Sequence, residues 1–220
     1  AGRLTGVADA IGFTFYRYNF LAQVEARTID VDGQVYRWHT LYNRDGQVLS
    51  QRYPDGQRAR LVRDAQGRVT HLMVKAWEGR LDTLIAENLE YLPFGPLTGF
   101  THGNGMNFSV DYDQDYRTSS ITVAGLQNLF DLQYHYDLSE NISDIDDLAT
   151  PTRNQHFDYD ALSRLSFADG LYGSQSYSFD ASGNRLSLSR DQEGVVSSDT
   201  ATIASDSNRL IALDFSPEQV

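Results

Sequence analysis

The sequence predicts an all-β fold: an antiparallel sheet of consecutive β-hairpins, curved or spiralling, that runs through residues 1–220 as one repeat array. Three observations predict it. An aromatic pair at i and i+2 followed by Asp or Asn recurs at Tyr16-Arg17-Tyr18-Asn19, Tyr134-His135-Tyr136-Asp137, Phe157-Asp158-Tyr159-Asp160 and Tyr177-Ser178-Phe179-Asp180. A turn and then an apolar residue follow each Asp or Asn within three to five positions, as in Gly46-Gln47-Val48 and Ser163-Arg164-Leu165, with Gly183-Asn184-Arg185-Leu186 one residue longer. A second turn signal falls about halfway to the next repeat, at Asp32-Gly33, Asp55-Gly56, Glu78-Gly79, Gly103-Asn104-Gly105, Asp169-Gly170 and Glu193-Gly194. Two turns per unit mean two strands per unit, and self-similarity on this scale is the signature of a repeat architecture.

Taking the Asp or Asn as origin, the units begin at Asn19, Asn43, Asp64, Asp113, Asp137, Asp160 and Asp180, with gaps of 24, 21, 49, 24, 23 and 20 residues. Leu41-Tyr42-Asn43, Val62-Arg63-Asp64 and Val110-Asp111-Tyr112-Asp113 are the weaker copies. The units lie near 1–18, 19–42, 43–63, 64–112 (one degenerate copy inside), 113–136, 137–159, 160–179 and 180–220. Ala1-Gly2-Arg3-Leu4 fits the same frame with its Asp just ahead of the first residue, so the expectation is a piece of a longer array. The physical roles follow from position. Side chains at i and i+2 of a strand share a face, so each aromatic pair stands side by side on the sheet. Asp and Asn bond their own backbone two residues on, and Gly at 46, 67 and 183 supplies positive φ, so the chain reverses there. The repeat-defining positions are Tyr18, Asn19, Tyr42, Tyr112, Asp113, Tyr136, Asp137, Tyr159, Asp160, Phe179 and Asp180. Two aromatics are too little apolar surface to offset the ordering of a whole unit, so neighbouring hairpins must share ladders and faces. One stretch also fits a short helix: Leu81, Leu84, Ile85 and Leu89 follow helical spacing.

Composition narrows the function. A hydrophobic content of 40% with 12% aromatics argues for a folded chain. A net charge of -12, with Lys75 the sole lysine, argues against nucleic acid as partner, which needs clustered cations. Zero cysteines exclude a disulfide framework and thiolate metal sites. No apolar run approaches the roughly 20 residues of a membrane helix, so membrane insertion is not expected.

Candidate chemistry is sparse. Asp111, Asp113 and Asp115 alternate and Asp144, Asp146 and Asp147 cluster, but a calcium loop of the EF-hand kind wants Gly at position six and Glu at twelve, where Asp111 is followed by Tyr116 and Thr122. Structural or solvated acids are the expectation, a weak surface calcium site the alternative. His39, His71, His102, His135 and His156 never lie within four residues of one another, so no local metal pair forms. His135 and Asp158 sit between the aromatics of their pairs, on the polar face of the strand. No Gly-x-Ser-x-Gly occurs, and Gly103-Asn104-Gly105 reads as a turn, not a nucleotide loop. No catalytic residue, cofactor or metal is therefore expected. The repeated aromatics read as wall packing; Trp38 and Trp77 lie outside the pair and are the candidates for stacking on a sugar ring. Two Asn-x-Ser sequences, Asn107-Phe108-Ser109 and Asn141-Ile142-Ser143, serve as glycan acceptors only in a eukaryotic secretory setting.

The motifs together resemble the Rhs or YD-repeat family. The matching pieces are Tyr159-Asp160-Ala161-Leu162-Ser163-Arg164-Leu165, Tyr177-Ser178-Phe179-Asp180-Ala181-Ser182-Gly183-Asn184-Arg185, Tyr91-Leu92-Pro93-Phe94-Gly95-Pro96, Gly103-Asn104-Gly105 and Arg153-Asn154-Gln155. Asn stands for Asp at 19 and 43, and Phe179 for the usual Tyr. The resemblance implies a bacterial, secreted or surface-delivered protein whose repeats wind into a β-shell around a C-terminal toxin; in teneurins a similar barrel serves adhesion. The implied partners are the rest of the array and the enclosed toxin domain, with glycans or a surface protein as the alternative. The family's self-cleavage motif is built on Asp-Pro, a dipeptide this chain lacks, so that activity is not placed on these residues. Unpaired sheet edges invite pairing with another copy.

Overall fold

The computed structural model describes all residues except Ala1, Trp77, Glu78, Phe94 and Val220, together with the backbone alone of 217–219. The chain divides into two compact units, Ala1–Ser109 and Val110–Val220. Among the described residues the elements are nineteen β-strands and one 3-10 turn, Pro151–Arg153.

The first unit holds β1 (Gly6–Ala8), β2 (Gly12–Tyr18), β3 (Val24–Val31), β4 (Gln34–Tyr42), β5 (Val48–Arg52), β6 (Arg58–Arg63), β7 (Val69–Lys75), β8 (Thr83–Tyr91), β9 (Leu97–His102) and the first half of β10 (Asn107–Tyr112). Each strand pairs antiparallel with the next in sequence. The second unit continues with β11 (Thr118–Ala124), β12 (Asn128–Tyr136), β13 (Ile142–Asp147), β14 (Gln155–Tyr159), β15 (Leu165–Gly170), β16 (Gly173–Phe179), β17 (Arg185–Gln192), β18 (Val195–Ile203) and β19 (Leu210–Gln219), again paired in sequence order. The topology is that of consecutive hairpins.

Of the stretch from Leu81 to Leu92 that also fits a helix, Thr83–Tyr91 is strand. β8 is held on both sides, by β7 and β9, and ladder bonds on two edges override a local helical pattern. Its register slips between Glu87 and Glu90 around Asn88, which has a φ of 54°. A second difference concerns Asp169-Gly170. Both residues belong to β15, where Asp169 faces His156, and the chain reverses at Leu171-Tyr172, with Gly170 opposite Gly173. Pairing on both sides of β15 moves the reversal there, and Gly173, at φ 83°, passes so close to β17 that a Cβ would lie 2.2 Å from the carbonyl oxygen of Asp191. Glu78 of the Glu78-Gly79 signal lies outside the described residues.

Burial is that of a thin sheet. The aromatic pairs Tyr16/Tyr18, Tyr134/Tyr136, Phe157/Tyr159 and Tyr177/Phe179 are half-buried, while the residues between them, Arg17, His135, Asp158 and Ser178, are exposed. Period-2 alternation thus places the rings on one face. No large side chain among the described residues is fully buried; the buried apolar residues are Ala86, Val110, Ala168, Leu188 and Ala204. The opposite face is not uniformly polar, since Phe13 and Phe15 stack there with ring centres 6.3 Å apart and both half in solvent.

A register shift precedes the motif position in six copies, between Arg17/Tyr18, Leu41/Tyr42, Val62/Arg63, His135/Tyr136, Asp158/Tyr159 and Ser178/Phe179. Each is a β-bulge, which bends the strand into its turn. The fourth residue of each turn is left-handed: Ala22, Gly46, Gly67, Tyr116, Glu140, Ser163 and Gly183 have φ between 55° and 88°. A non-glycine residue there costs about 1–2 kcal/mol of local strain. Glu140 is exposed, so Glu140→Gly is expected to raise stability by about 0.5 kcal/mol, the relieved strain being partly offset by glycine's greater unfolded entropy. Chemical denaturation with an unchanged m-value checks it; a lower midpoint would refute the assigned strain.

Candidate functional site

The functional unit is a turn that recurs with one set of bonds. At Asp137 the backbone N–H donates to the Asn141 carbonyl (2.9 Å), and the Glu140 N–H donates back to the Asp137 carbonyl (3.1 Å). Inside that loop Asp137 Oδ1 accepts from the N–H groups of Ser139 (2.8 Å) and Asn141 (2.9 Å). Asn19, Asn43, Asp64, Asp113, Asp160 and Asp180 do the same with the residues two and four positions on. The origin side chain therefore satisfies two backbone donors that a reversing chain leaves without carbonyl partners.

The second polar atom of the origin meets the side chain four positions on, and the two are chemically matched. Where the origin is Asn, its Nδ2 donates, and the partner is a Gln acceptor: Asn19 to Gln23 and Asn43 to Gln47, both 3.0 Å. Where it is Asp, Oδ2 accepts, and the partner is a donor: Arg68 (2.8 Å), Arg117 (2.7 Å), Asn141 (3.0 Å), Arg164 (2.6 Å) and Asn184 (2.8 Å). That partner also reaches the following turn. Gln23 donates to the Gly46 carbonyl, Gln47 to Gly67, Asn141 to Ser163 Oγ, Arg164 to the Asp180 carbonyl and Asn184 to Asn208. Arg117 lies 4.7 Å from the centre of the Tyr136 ring, Arg164 4.8 Å from Phe179 and Arg68 5.7 Å from Tyr91.

The aromatic before each origin closes the opposite direction. Its hydroxyl donates to the carbonyl at the head of the preceding strand: Tyr18 to Leu4 (2.7 Å), Tyr42 to Val24 (2.8 Å), Tyr136 to Thr118 (2.8 Å) and Tyr159 to Ile142 (2.9 Å). Partial burial raises the pKa of the Tyr136 and Tyr159 hydroxyls, which keeps them donors. Tyr112 holds the same position at the end of β10. Phe179 has no hydroxyl and is covered by Arg164 instead.

Electrostatics follow the bonds. Donation from Asn141, Arg164 and Asn184 lowers the carboxyl pKa of Asp137, Asp160 and Asp180. Partial desolvation works against this at Asp64 and Asp113 and is outweighed by Arg68 and Arg117. The other acids are satisfied structurally. Asp111, Asp113 and Asp115 do not share a strand face, because β10 ends at Tyr112; Asp111 accepts from Ser120 (2.8 Å) and Asp115 pairs with Arg117 (3.5 Å). His135 donates to Asp146 (2.9 Å) and His156 to Asp144 (2.7 Å), with Asp158 at 3.5 Å. The Asp144 bond raises the His156 pKa. No group of three acid or histidine ligands with metal geometry occurs among the described residues. Trp38 is half-buried with the Arg27 guanidinium 5.5 Å from its ring centre; with Tyr36, Tyr53, Asp55 and Gln57 it lines an open depression of about 640 Å³. Trp77 lies outside the described residues.

Residues 42–76, which span the Asn43 and Asp64 turns, match the family model described as RHS Repeat. Its fold matches the crystal structure of TcdB2-TccC3-Cdc42 with a TM-score of 0.85 at 20% identity, over 96% of this chain and 13% of that one. It matches the Photorhabdus luminescens Tc holotoxin pore equally, at TM-score 0.85 and 20% identity over 96% and 12%. The chain thus spans about an eighth of the length of those chains, and the likeness is one of fold. No curated protein matches it by sequence.

Two members of the row depart from the common side-chain bonds, and a third escapes sequence reasoning. Arg63 takes the tyrosine's place, its guanidinium donating to the Val48 carbonyl (3.2 Å) and the Gly67 carbonyl (2.8 Å). Leu92 heads the degenerate copy, with the same backbone loop to Pro96 and Gly95, and Tyr91 donates to Val69 (2.9 Å). Ala204 heads a last, wider turn closed by Arg209. For Leu92 the signal was present in Tyr91 and Pro93; for Ala204, in its spacing from Asp180.

Two predictions follow from this bonding. Asp160→Asn turns an amide donor toward Arg164 and lowers the melting temperature; adding Arg164→Gln restores the Asn/Gln pair used at 19/23 and recovers roughly half of the loss. Additive losses would show that the two side chains do not couple. The carboxyls of Asp137, Asp160 and Asp180 sit below their ordinary 3.8, so their contribution is complete above about pH 4 and is lost as pH falls through the lowered folded values. Hydrogen exchange at pH 3 is therefore expected to show the turns at 137–141 and 160–164 opening before those at 19–23 and 43–47, whose Asn residues do not titrate. Simultaneous opening would contradict it.

Proposed function

We propose that the chain is a structural repeat segment of a bacterial, secreted or surface-delivered Rhs-type toxin protein, where it builds the wall of a β-shell that encloses a C-terminal toxin. It carries out no reaction of its own. The observation that supports this most is the turn-to-turn stitch. The turns at Asn43 and Asp160 bond back toward the preceding turn through the tyrosine before the origin and on to the next turn through the side chain four positions after it, so the unit has meaning only as part of a row. The fold likeness to chains of Tc toxin structures supports the same reading. The partners are then the neighbouring repeats and the toxin domain, and the acidic surface, at net charge -12, disfavours nucleic acid.

A second reading, a glycan-binding surface module, draws on the Trp38 depression, where aromatic rings adjoin Asp55 and Gln57. Sugar titrations followed by tryptophan fluorescence separate the two: saturable quenching that disappears in Trp38→Ala favours the module.

The shell reading is tested in the parent protein by protease protection of its C-terminal region. Tyr159→Phe, which removes one hydroxyl bond, is expected to cost about 1 kcal/mol and leave protection intact. Tyr159→Ala, which also removes a half-buried ring, is expected to cost about 2 kcal/mol, below the range for fully buried aromatics, and to increase cleavage of the enclosed segment. A C-terminal region digested equally fast in wild type and in Tyr159→Ala would sink the enclosing role.

A further inference from the structure

Charge is unevenly divided along the chain. Residues 1–109 carry 12 Lys and Arg against 11 Asp and Glu, and residues 110–220 carry 6 against 19. The cations of the first unit are not scattered. His39 of β4 stands directly opposite Arg52 of β5, Arg52 opposite Arg58 of β6, and Arg58 opposite Lys75 of β7. Directly opposed residues share a face, and strands about 4.8 Å apart make this a basic row of about 14 Å.

Like charges placed opposite one another on a sheet are destabilising. Three other cations of the unit have acid partners: Arg17 pairs with Glu25 at 2.7 Å, Arg60 with Asp82 at 2.9 Å and Arg68 with Asp64 at 2.8 Å. Along the row Arg58 donates instead to the Ser50 hydroxyl at 3.2 Å, and no acid pairs with Arg58 or Lys75 among the described residues. The four basic side chains line one cavity of about 410 Å³ together with Leu41, Ser50 and Gly56. Ser50 is only 3% exposed, and because its oxygen accepts from Arg58 its proton remains to donate. No carboxylate lines the cavity among the described residues.

We propose that this row is a binding site for an oligophosphate group, two or more linked phosphates borne by a small molecule. The guanidinium fork of Arg58 matches phosphate oxygens in pairs, and Lys75 adds a point charge. Several adjacent cations select a multiply charged anion over a single one. A cavity of this volume takes a compact ligand, whereas an acidic peptide needs an extended groove. The excess of acid over the whole chain repels nucleic acid. The site is independent of the shell reading, since it needs only the first unit's own strands.

The test is calorimetric titration of the 220-residue chain with inorganic tripolyphosphate, inorganic phosphate and a Glu-rich peptide at several salt concentrations. Saturable one-to-one binding of tripolyphosphate is expected, at least about tenfold tighter than phosphate and weakening with salt. Arg58→Gln and Lys75→Gln are each expected to weaken it about tenfold or more, a change within the range of one charge-assisted bond. Arg17→Gln, which removes a cation already paired, is expected to leave it unchanged. Thermal melts separate binding from folding: relief of repulsion keeps the ligand-free melting temperatures of Arg58→Gln and Lys75→Gln at or above wild type. No saturation at millimolar tripolyphosphate, an equal loss in Arg17→Gln, or tighter binding of the peptide overturns the assignment.

Discussion

The constraint on which the rest depends is that a single sheet of hairpins has nowhere to hide the polar backbone at its turns. A strand interior satisfies its N–H and C=O groups through the ladder, but a reversing chain leaves donors without carbonyl partners. In most folds a second layer or a helix covers such groups. Here, with no large side chain fully buried among the described residues, the turn supplies its own acceptor. The Oδ1 of each origin residue takes two N–H groups, and the tyrosine before it caps the carbonyl at the head of the preceding strand. The Tyr-Asp pair is thus one device with two hands.

This explains how the repeat tolerates drift. The acceptors of the tyrosine hydroxyls are backbone carbonyls, present whatever residue stands there, so Leu4, Val24, Thr118 and Ile142 serve equally. Only the origin and its partner four positions on must agree, and they agree in donor and acceptor character without agreeing in identity. Asn with Gln and Asp with Arg or Asn are two solutions of one problem. Arg63 and Phe179 mark the limits: a guanidinium reaches the same carbonyl, and a ring with no hydroxyl is retained under an arginine. A fold held through backbone atoms is compatible with a TM-score of 0.85 at 20% identity.

The same logic sets what the sequence reveals. The origins were legible because Asp and Asn bond their own backbone and announce a turn, and the aromatic stripe because a period of two survives at 16/18, 134/136, 157/159 and 177/179. Ala204 was obscured because its turn keeps a backbone loop and has no side-chain acceptor at the origin. Arg63 was obscured because charge normally means solvent, and only coordinates show its guanidinium on two carbonyls. The reversal at Leu171-Tyr172 was displaced from Asp169-Gly170 by pairing on both sides of β15, a nonlocal cause no dipeptide carries. The helical spacing from Leu81 to Leu89 yielded to the same cause.

Once turns and stripe are assigned to building the wall, the face opposite the rings is left free to vary. In the second unit it carries His135, Asp144, Asp146, His156 and Asp158, bonded to one another in acid–histidine pairs. In the first unit the corresponding rule is broken at Arg58 and Lys75, which face each other across neighbouring strands. Sequences depart from local compatibility where function asks for it, and compensation elsewhere in the same unit shows that this chain has the acids to neutralise a cation when neutrality is what the site requires. The basic row therefore stands apart from the scaffold that carries it: the repeat accounts for why those strands are neighbours, and leaves the choice of Arg58 and Lys75 for them to another pressure.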